Sequence, residues 1–181
     1  MVSTLPAGRT SGAVQSDRQL AVGTGLIALA MAAVVGGALG FEHIGGYIPC
    51  ALCLEQRVPY YVGVPVLLIA AGAAWTGART LALIGLLIAA TLMAWAVYLG
   101  IYHAGAEWGF WPGPTDCGAS AAGAAAVENG NLLEALNSTR PPSCDEAAGR
   151  FLGLSFAGWQ VVAATGLLVA SLVTAQRARR P

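Results

Sequence analysis

Four apolar runs, each close to the length needed to cross a bilayer, constrain this chain more than any other feature. Leu20 to Phe41 is broken only by glycine and threonine. A helix over those 22 residues is about 33 Å long, enough to span hydrocarbon. The alternative for this run is a cleaved signal peptide, but it exceeds a usual apolar signal core of about 7–15 residues. Further spans are predicted over about residues 54–75, 80–102 and 152–175. Pro59 and Pro65 fall inside the second; proline is tolerated in membrane helices, so a kink is expected rather than a break. Composition agrees: 56% of residues are hydrophobic and 10% charged, where a soluble domain carries about a quarter charged. The predicted fold class is an all-α membrane protein, a four-transmembrane-helix bundle occupying 20–175.

The connections set its orientation. Residues 1–19 read as a disordered tail, and residues 176–181 as a second tail. Glu42 to Pro49 is a short link, Thr76 to Arg79 a tight turn, and 103–151 one long polar loop. Within that loop Ala119 to Val127 is alanine-rich, and Asn131 to Leu136 reads as an amphipathic turn lying on the bilayer surface. All nine basic residues are arginine. Arg9, Arg18, Arg79, Arg177, Arg179 and Arg180 fall on one side of four spans; Arg57, Arg140 and Arg150 fall on the other, with the long acidic loop. The positive-inside rule then makes both termini cytoplasmic and puts one short and one long loop in the outer compartment, the periplasm of a Gram-negative bacterium. No basic tract interleaved with aromatics suggests nucleic acid.

That orientation places all four cysteines on the oxidising side. Cys50 and Cys53 form a Cys-x-x-Cys pair at the start of the second span, after Pro49, a residue favoured at the first helical position. Free amides and the positive helix end favour a thiolate there. Arg57 lies one turn beyond Cys53 on the same face, placed to stabilise a thiolate or bind a partly negative ligand. Its bland reading is an interfacial arginine that snorkels to water or pairs with Glu55. Cys117 and Cys144 sit in the long loop, each preceded by a proline-containing segment. A structural disulfide between them would stabilise a small ectodomain; an exposed one would be exchangeable. A zinc site of four cysteines is the third option, disfavoured by the wide second spacing and the oxidising compartment. His103 reads either as a polar tip of the third span or as a cofactor contact. Trp108, Phe110 and Trp111 read as an interfacial belt, and Glu42 and His43 carry little signal.

Cys50-Ala51-Leu52-Cys53 followed by Arg57, at the head of the second of four spans, resembles the DsbB family of bacterial inner-membrane thiol oxidoreductases. The two loop cysteines before the last span are similar too, as is the stretch from Tyr102 to Cys117. The resemblance covers about residues 20–175. It implies a protein-disulfide:quinone oxidoreductase of the inner membrane, acting in protein folding. A reduced periplasmic DsbA-like protein of thioredoxin fold would attack the Cys117–Cys144 disulfide at Cys117. Cys144 would exchange with Cys50, and Cys53 would pass electrons to a membrane quinone, ubiquinone or menaquinone. Arg57 matches the family's quinone-site arginine. Family members often carry an acidic residue just before that arginine, where this chain has Gln56.

Two other readings compete. One is a non-catalytic four-span assembly protein whose loop disulfide is a staple. The other is a thiol-based carrier working in the reductive direction.

Overall fold

The computed structural model describes residues 11–114, 144–145, 147 and 149–179. Its elements are α1 (Ser11–His43), α2 (Ala51–Thr76), α3 (Arg79–Glu107), a two-stranded hairpin of β1 (Arg150–Phe151) and β2 (Leu154–Ser155), and α4 (Phe156–Arg179). All four helices are long and apolar enough to cross a membrane, and α2 runs unbroken through Pro59 and Pro65.

In such helices burial cannot follow polarity, because every face is apolar. What goes inside is set by size. The packed interior is rich in Ala28, Ala74, Ala82, Ala89, Ala96 and Ala164, with Met31, Leu67, Leu86 and Met93 among them. Leu26, Leu29, Ile69, Ile84, Trp95 and Val169 face outward instead. Small residues let helix backbones approach, the usual basis of packing in lipid, where burying apolar area between helices confers no advantage over lipid contact. Gly85 marks a close approach of α2 and α3: a Cβ there would sit 2.5 Å from Ala70 Cβ. Gly85→Val is therefore expected to destabilise the bundle by about 1–3 kcal/mol, measured as a lower thermal midpoint in detergent; an unchanged midpoint would mean that the helices part without cost. The buried hydroxyls of Thr24 and Ser171 donate to carbonyls one turn back, Leu20 O at 2.8 Å and Leu167 O at 2.8 Å, which satisfies them without a partner helix.

Both ends of the bundle are pinned by polar contacts. At one end Arg79, opening α3, donates to Ser16 Oγ at 3.2 Å and to the Ala178 carbonyl, and lies 3.8 Å from Asp17. The start of α1, the α2–α3 turn and the end of α4 thus meet at one end. Gly77 closes that turn in the left-handed region (φ 85), donating to the Ala73 and Ala74 carbonyls, a common helix stop. The opposite end carries the α1–α2 link, the hairpin and residues 108–114. There Phe41, Tyr47 and Phe156 pack ring against ring at 5.1–6.1 Å.

Four boundaries differ from the sequence expectation. The tail expected to be disordered to residue 19 is helical from Ser11, because Ser16 and Asp17 meet Arg79 and Leu20 and Ala21 are buried. The third helix continues past Tyr102 to Glu107, so His103 and Glu107 belong to a helix and not to the loop. Residues 150–155, expected to join the last span at 152, instead form a hairpin. Leu152 (φ 52) and Gly153 (φ 83) both adopt positive φ, which suits a two-residue turn but not a helix. The last helix begins after Ser155, whose hydroxyl accepts the Gly158 N–H at 3.2 Å as an N-cap, and it continues to Arg179 through part of the expected second tail. The alanine-rich stretch and the amphipathic turn at Asn131 to Leu136 lie outside the described residues.

Candidate thiol–disulfide site

The site grows from the first turn of α2. Cys50, not Pro49, is the boundary residue: it is the N-cap, extended (φ −75, ψ 169), and its sulfur accepts the Cys53 N–H at 3.3 Å. It takes the role usually played by a serine or aspartate oxygen. From Cys53 the helical repeat places Gln56, Arg57 and Tyr60 on one stripe, and all four line a cavity of about 380 Å³ between α1, α2 and α4. Its other walls are mainly apolar, including Val34, Ala38, Phe41 and Phe156.

Cys50 and Cys53 are free thiols. Cys50 Sγ donates to Cys53 Sγ across 2.9 Å. That hydrogen bond, and then burial, push the Cys50 thiol well above the ordinary range. A raised thiol value means that the S–H persists to higher pH, so Cys50 is the sulfur of the pair that stays protonated. In the dithiol protein, iodoacetamide at neutral pH is expected to label Cys53 first, with Cys50 labelled only above the pH at which an ordinary thiol reacts. Peptide mass analysis reads the order; Cys50 labelled first would contradict it.

Arg57 is ion-paired with Glu42 at the end of α1. The expected alternative partner, Glu55, is exposed on another face of α2. A residue adjacent in sequence was the obvious candidate, but the packing of α1 on α2 supplies the nearer carboxylate. Glu42, given little weight from sequence, thereby becomes part of the cavity wall.

His103 is brought in rather than left at a helix tip. It is 4% exposed and lines the same cavity. Gln56 explains its orientation. The amide Nε2 donates to the Leu99 carbonyl at 3.3 Å and to His103 Nδ1 at 3.0 Å. With Nδ1 accepting, the neutral ring carries its proton on Nε2, 3.7 Å from Cys50 Sγ and 3.8 Å from Glu107 Oε1. A carboxylate at position 56 would accept instead, turning the proton to the other nitrogen. The departure noted at Gln56 is thus a hydrogen-bond donor aimed at the histidine beside the thiol pair.

The loop contributes Cys144. It is disulfide-bonded, 2% exposed, and packed in a small cluster with Cys50 and Leu52. The sulfurs of Cys50 and Cys144 and a ring nitrogen of His103 all lie within 4.8 Å of one another. These are atoms a metal accepts, but a metal takes cysteine as a thiolate and one of these sulfurs is held in a disulfide. What the cluster places together is a thiol beside a disulfide sulfur. Asp145 fixes the position of Cys144: its Oδ1 accepts the Gly113 N–H at 2.9 Å, tying the two ends of the long loop. On the same side, Trp111 folds back on α3, donating to the Tyr102 carbonyl at 2.9 Å and stacking on the Tyr102 ring. Cys117 lies outside the described residues.

Sequence reasoning marked Gln56 only as a departure, gave Glu42 little weight, and named neither Tyr60 nor Gln160. The i, i+3, i+4, i+7 stripe from Cys53 would have found the first and third. The others come from α1 and α4, and no local spacing points to them.

A thiol pair beside a disulfide-bonded cysteine, at one end of a bundle of four candidate membrane spans, defines a class, the multi-pass membrane thiol–disulfide proteins. Within that class the chain belongs to the family of disulfide bond formation protein DsbB, whose family model matches residues 21–174. It is thus a thiol oxidoreductase by family, with a role in disulfide bond formation. No curated protein and no solved structure matches the chain.

Proposed function

We propose that the protein is a protein-disulfide:quinone oxidoreductase that reoxidises a periplasmic DsbA-like thiol oxidant of thioredoxin fold. One observation carries this reading. Cys50 Sγ sits within 4.8 Å of the Cys144 sulfur, while its neighbour Cys53 opens onto the cavity. The pair therefore touches an electron source on one side and room for an acceptor on the other.

The exchange runs through four sulfurs. A thiolate of the reduced partner attacks Cys117, breaking a Cys117–Cys144 disulfide and forming a mixed disulfide. Cys144 leaves as a thiolate and attacks Cys50 of an oxidised Cys50–Cys53 pair, releasing Cys53 as a thiolate. The partner's second thiol attacks the mixed disulfide, so the partner departs oxidised and Cys117 is freed. Cys117 then attacks Cys144, restoring the loop disulfide and leaving Cys50 and Cys53 as a dithiol. Two electrons and two protons have moved from the partner to that pair. The free thiols of Cys50 and Cys53 beside the disulfide at Cys144 support this order of exchange.

The cavity fits a quinone ring: it has apolar walls, Cys53 and Arg57 at one end, and a place between candidate membrane spans. A quinone, ubiquinone or menaquinone, supplies a lipid-soluble acceptor for two electrons and two protons. Arg57 and His103 would hold it, and Arg57 favours negative charge at its edge. In the membrane the Arg79 end faces the cytoplasm with both termini, and the sulfur end faces the periplasm of a bacterial inner membrane, following the arginine bias.

The test is oxidation of a reduced DsbA-like protein by the purified protein with ubiquinone-1, followed by the absorbance of the quinone. Turnover is expected. A protein that leaves both the partner and the quinone unchanged is instead a four-span structural protein with a stapled loop.

A further inference from the structure

Two polar groups in the cavity have no partner. Tyr60 enters from α2 and Gln160 from α4, and both line the cavity. Tyr60 is 1% exposed, and neither its hydroxyl nor Gln160 Nε2 has a hydrogen-bond partner. The two side chains approach each other without completing a bond. Elsewhere in the bundle the buried Thr24 and Ser171 bond to their own helices. A tyrosine hydroxyl stands too far from its backbone for that. Leaving such groups unpaired in an apolar interior is costly, and Leu or Phe would pack there without cost. Among the described residues a third unpaired atom, Glu107 Oε2, belongs to the His103 cluster.

The placement of the pair matters. Tyr60 is three residues beyond Arg57 on the α2 stripe, which is about 4.5 Å further along the helix axis. The cavity therefore has a cation and a thiol at its outer end and two idle donors, an O–H and an N–H, deeper in the bundle. A ligand that satisfies both ends needs acceptors on opposite edges of a small flat body.

We propose that Tyr60 and Gln160 form a second polar anchor, donating to the carbonyl of a para-quinone ring that lies away from Cys53 and Arg57. This rests on the quinone reading above and adds to it a requirement for a 1,4-dicarbonyl. The anchor aligns the ring along α2, with one carbonyl at each end of the cavity.

The test uses the full-length protein in detergent, stripped of quinone, with ubiquinone-1 and a monocarbonyl cyclohexenone bearing the same tail as probes. Dissociation constants come from equilibrium dialysis, and thermal midpoints are read with and without ligand. Tyr60→Phe and Gln160→Leu are each expected to weaken ubiquinone-1 by about three- to tenfold while leaving the monocarbonyl ring unaffected. Gln160→Leu is also expected to raise the midpoint of the quinone-free protein, since an unpaired amide is replaced by an apolar group of similar size. Unchanged affinity for ubiquinone-1 in both variants, with the parent protein still binding it, overturns the anchor alone. Equal losses for both probes assign the effect to packing and overturn it as well. A parent protein that binds no ubiquinone-1 overturns the quinone reading itself.

Discussion

In the Cys53→Ser variant, quinone-linked oxidation of the partner is expected to fall to the uncatalysed background, and a Cys50–Cys144 disulfide is expected to accumulate. The reason is the position of Cys50 between two sulfurs, Cys53 at 2.9 Å and Cys144 within 4.8 Å. With Cys53 gone, no thiol faces the cavity from α2. Cys50 remains beside the loop disulfide, so its thiolate can attack the Cys144 sulfur, forming the Cys50–Cys144 disulfide while the other sulfur of the loop disulfide leaves as a thiolate. Thiol–disulfide exchange depends on access and on which sulfur is attacked, and the burial of Cys144 against Cys50 restricts both. Non-reducing peptide mapping after exposure to the partner reads the product directly. Turnover retained in Cys53→Ser, or a Cys53-independent dithiol signal, would falsify the assignment of Cys53 as the last sulfur in the chain. The variant separates the enzyme from a structural protein, since a staple would show no new disulfide.

The second large effect is expected at Arg57. Its pair with Glu42 is mostly buried, with side-chain exposures of 12% and 27%. Removing the arginine leaves a carboxylate without its counter-charge at the edge of an apolar cavity. Arg57→Ala is therefore expected to cost about 2 kcal/mol of stability, between the values for exposed and fully buried pairs. Glu42→Gln should recover part of that loss when combined with Arg57→Ala, because it removes the stranded charge. Function should not follow stability. The double variant is expected to regain its thermal midpoint but to keep a raised KM for ubiquinone-1, since the cation is still absent. Recovery of both together would make Arg57 a structural residue only.

How much of this was legible in the sequence differs by element. The four spans were, because about twenty consecutive apolar residues leave a chain few alternatives. The helix ends were not: Leu152 in positive φ and the helical stretch ahead of Leu20 depend on contacts with Trp159 and Arg79. Arg57 was legible as a residue of interest from its spacing after Cys53, yet its partner was misread. His103 carried no spacing signal at all, since its neighbours Cys50 and Gln56 lie far back in the chain.

The sequence alone determined that the chain carries four apolar runs long enough to cross a membrane, with Cys50 and Cys53 at the head of the second and Cys117 and Cys144 between the third and the fourth. Those properties follow from the length and order of the apolar runs, which are local and additive. Only the tertiary structure decided that Cys144 rests against Cys50, that Glu42 neutralises Arg57, and that Tyr60 and Gln160 share a cavity without partners. Each of these joins residues from different helices. In lipid the helices are apolar on every side, so hydrophobic pattern does not say which face turns inward; the fit of small residues against their neighbours does.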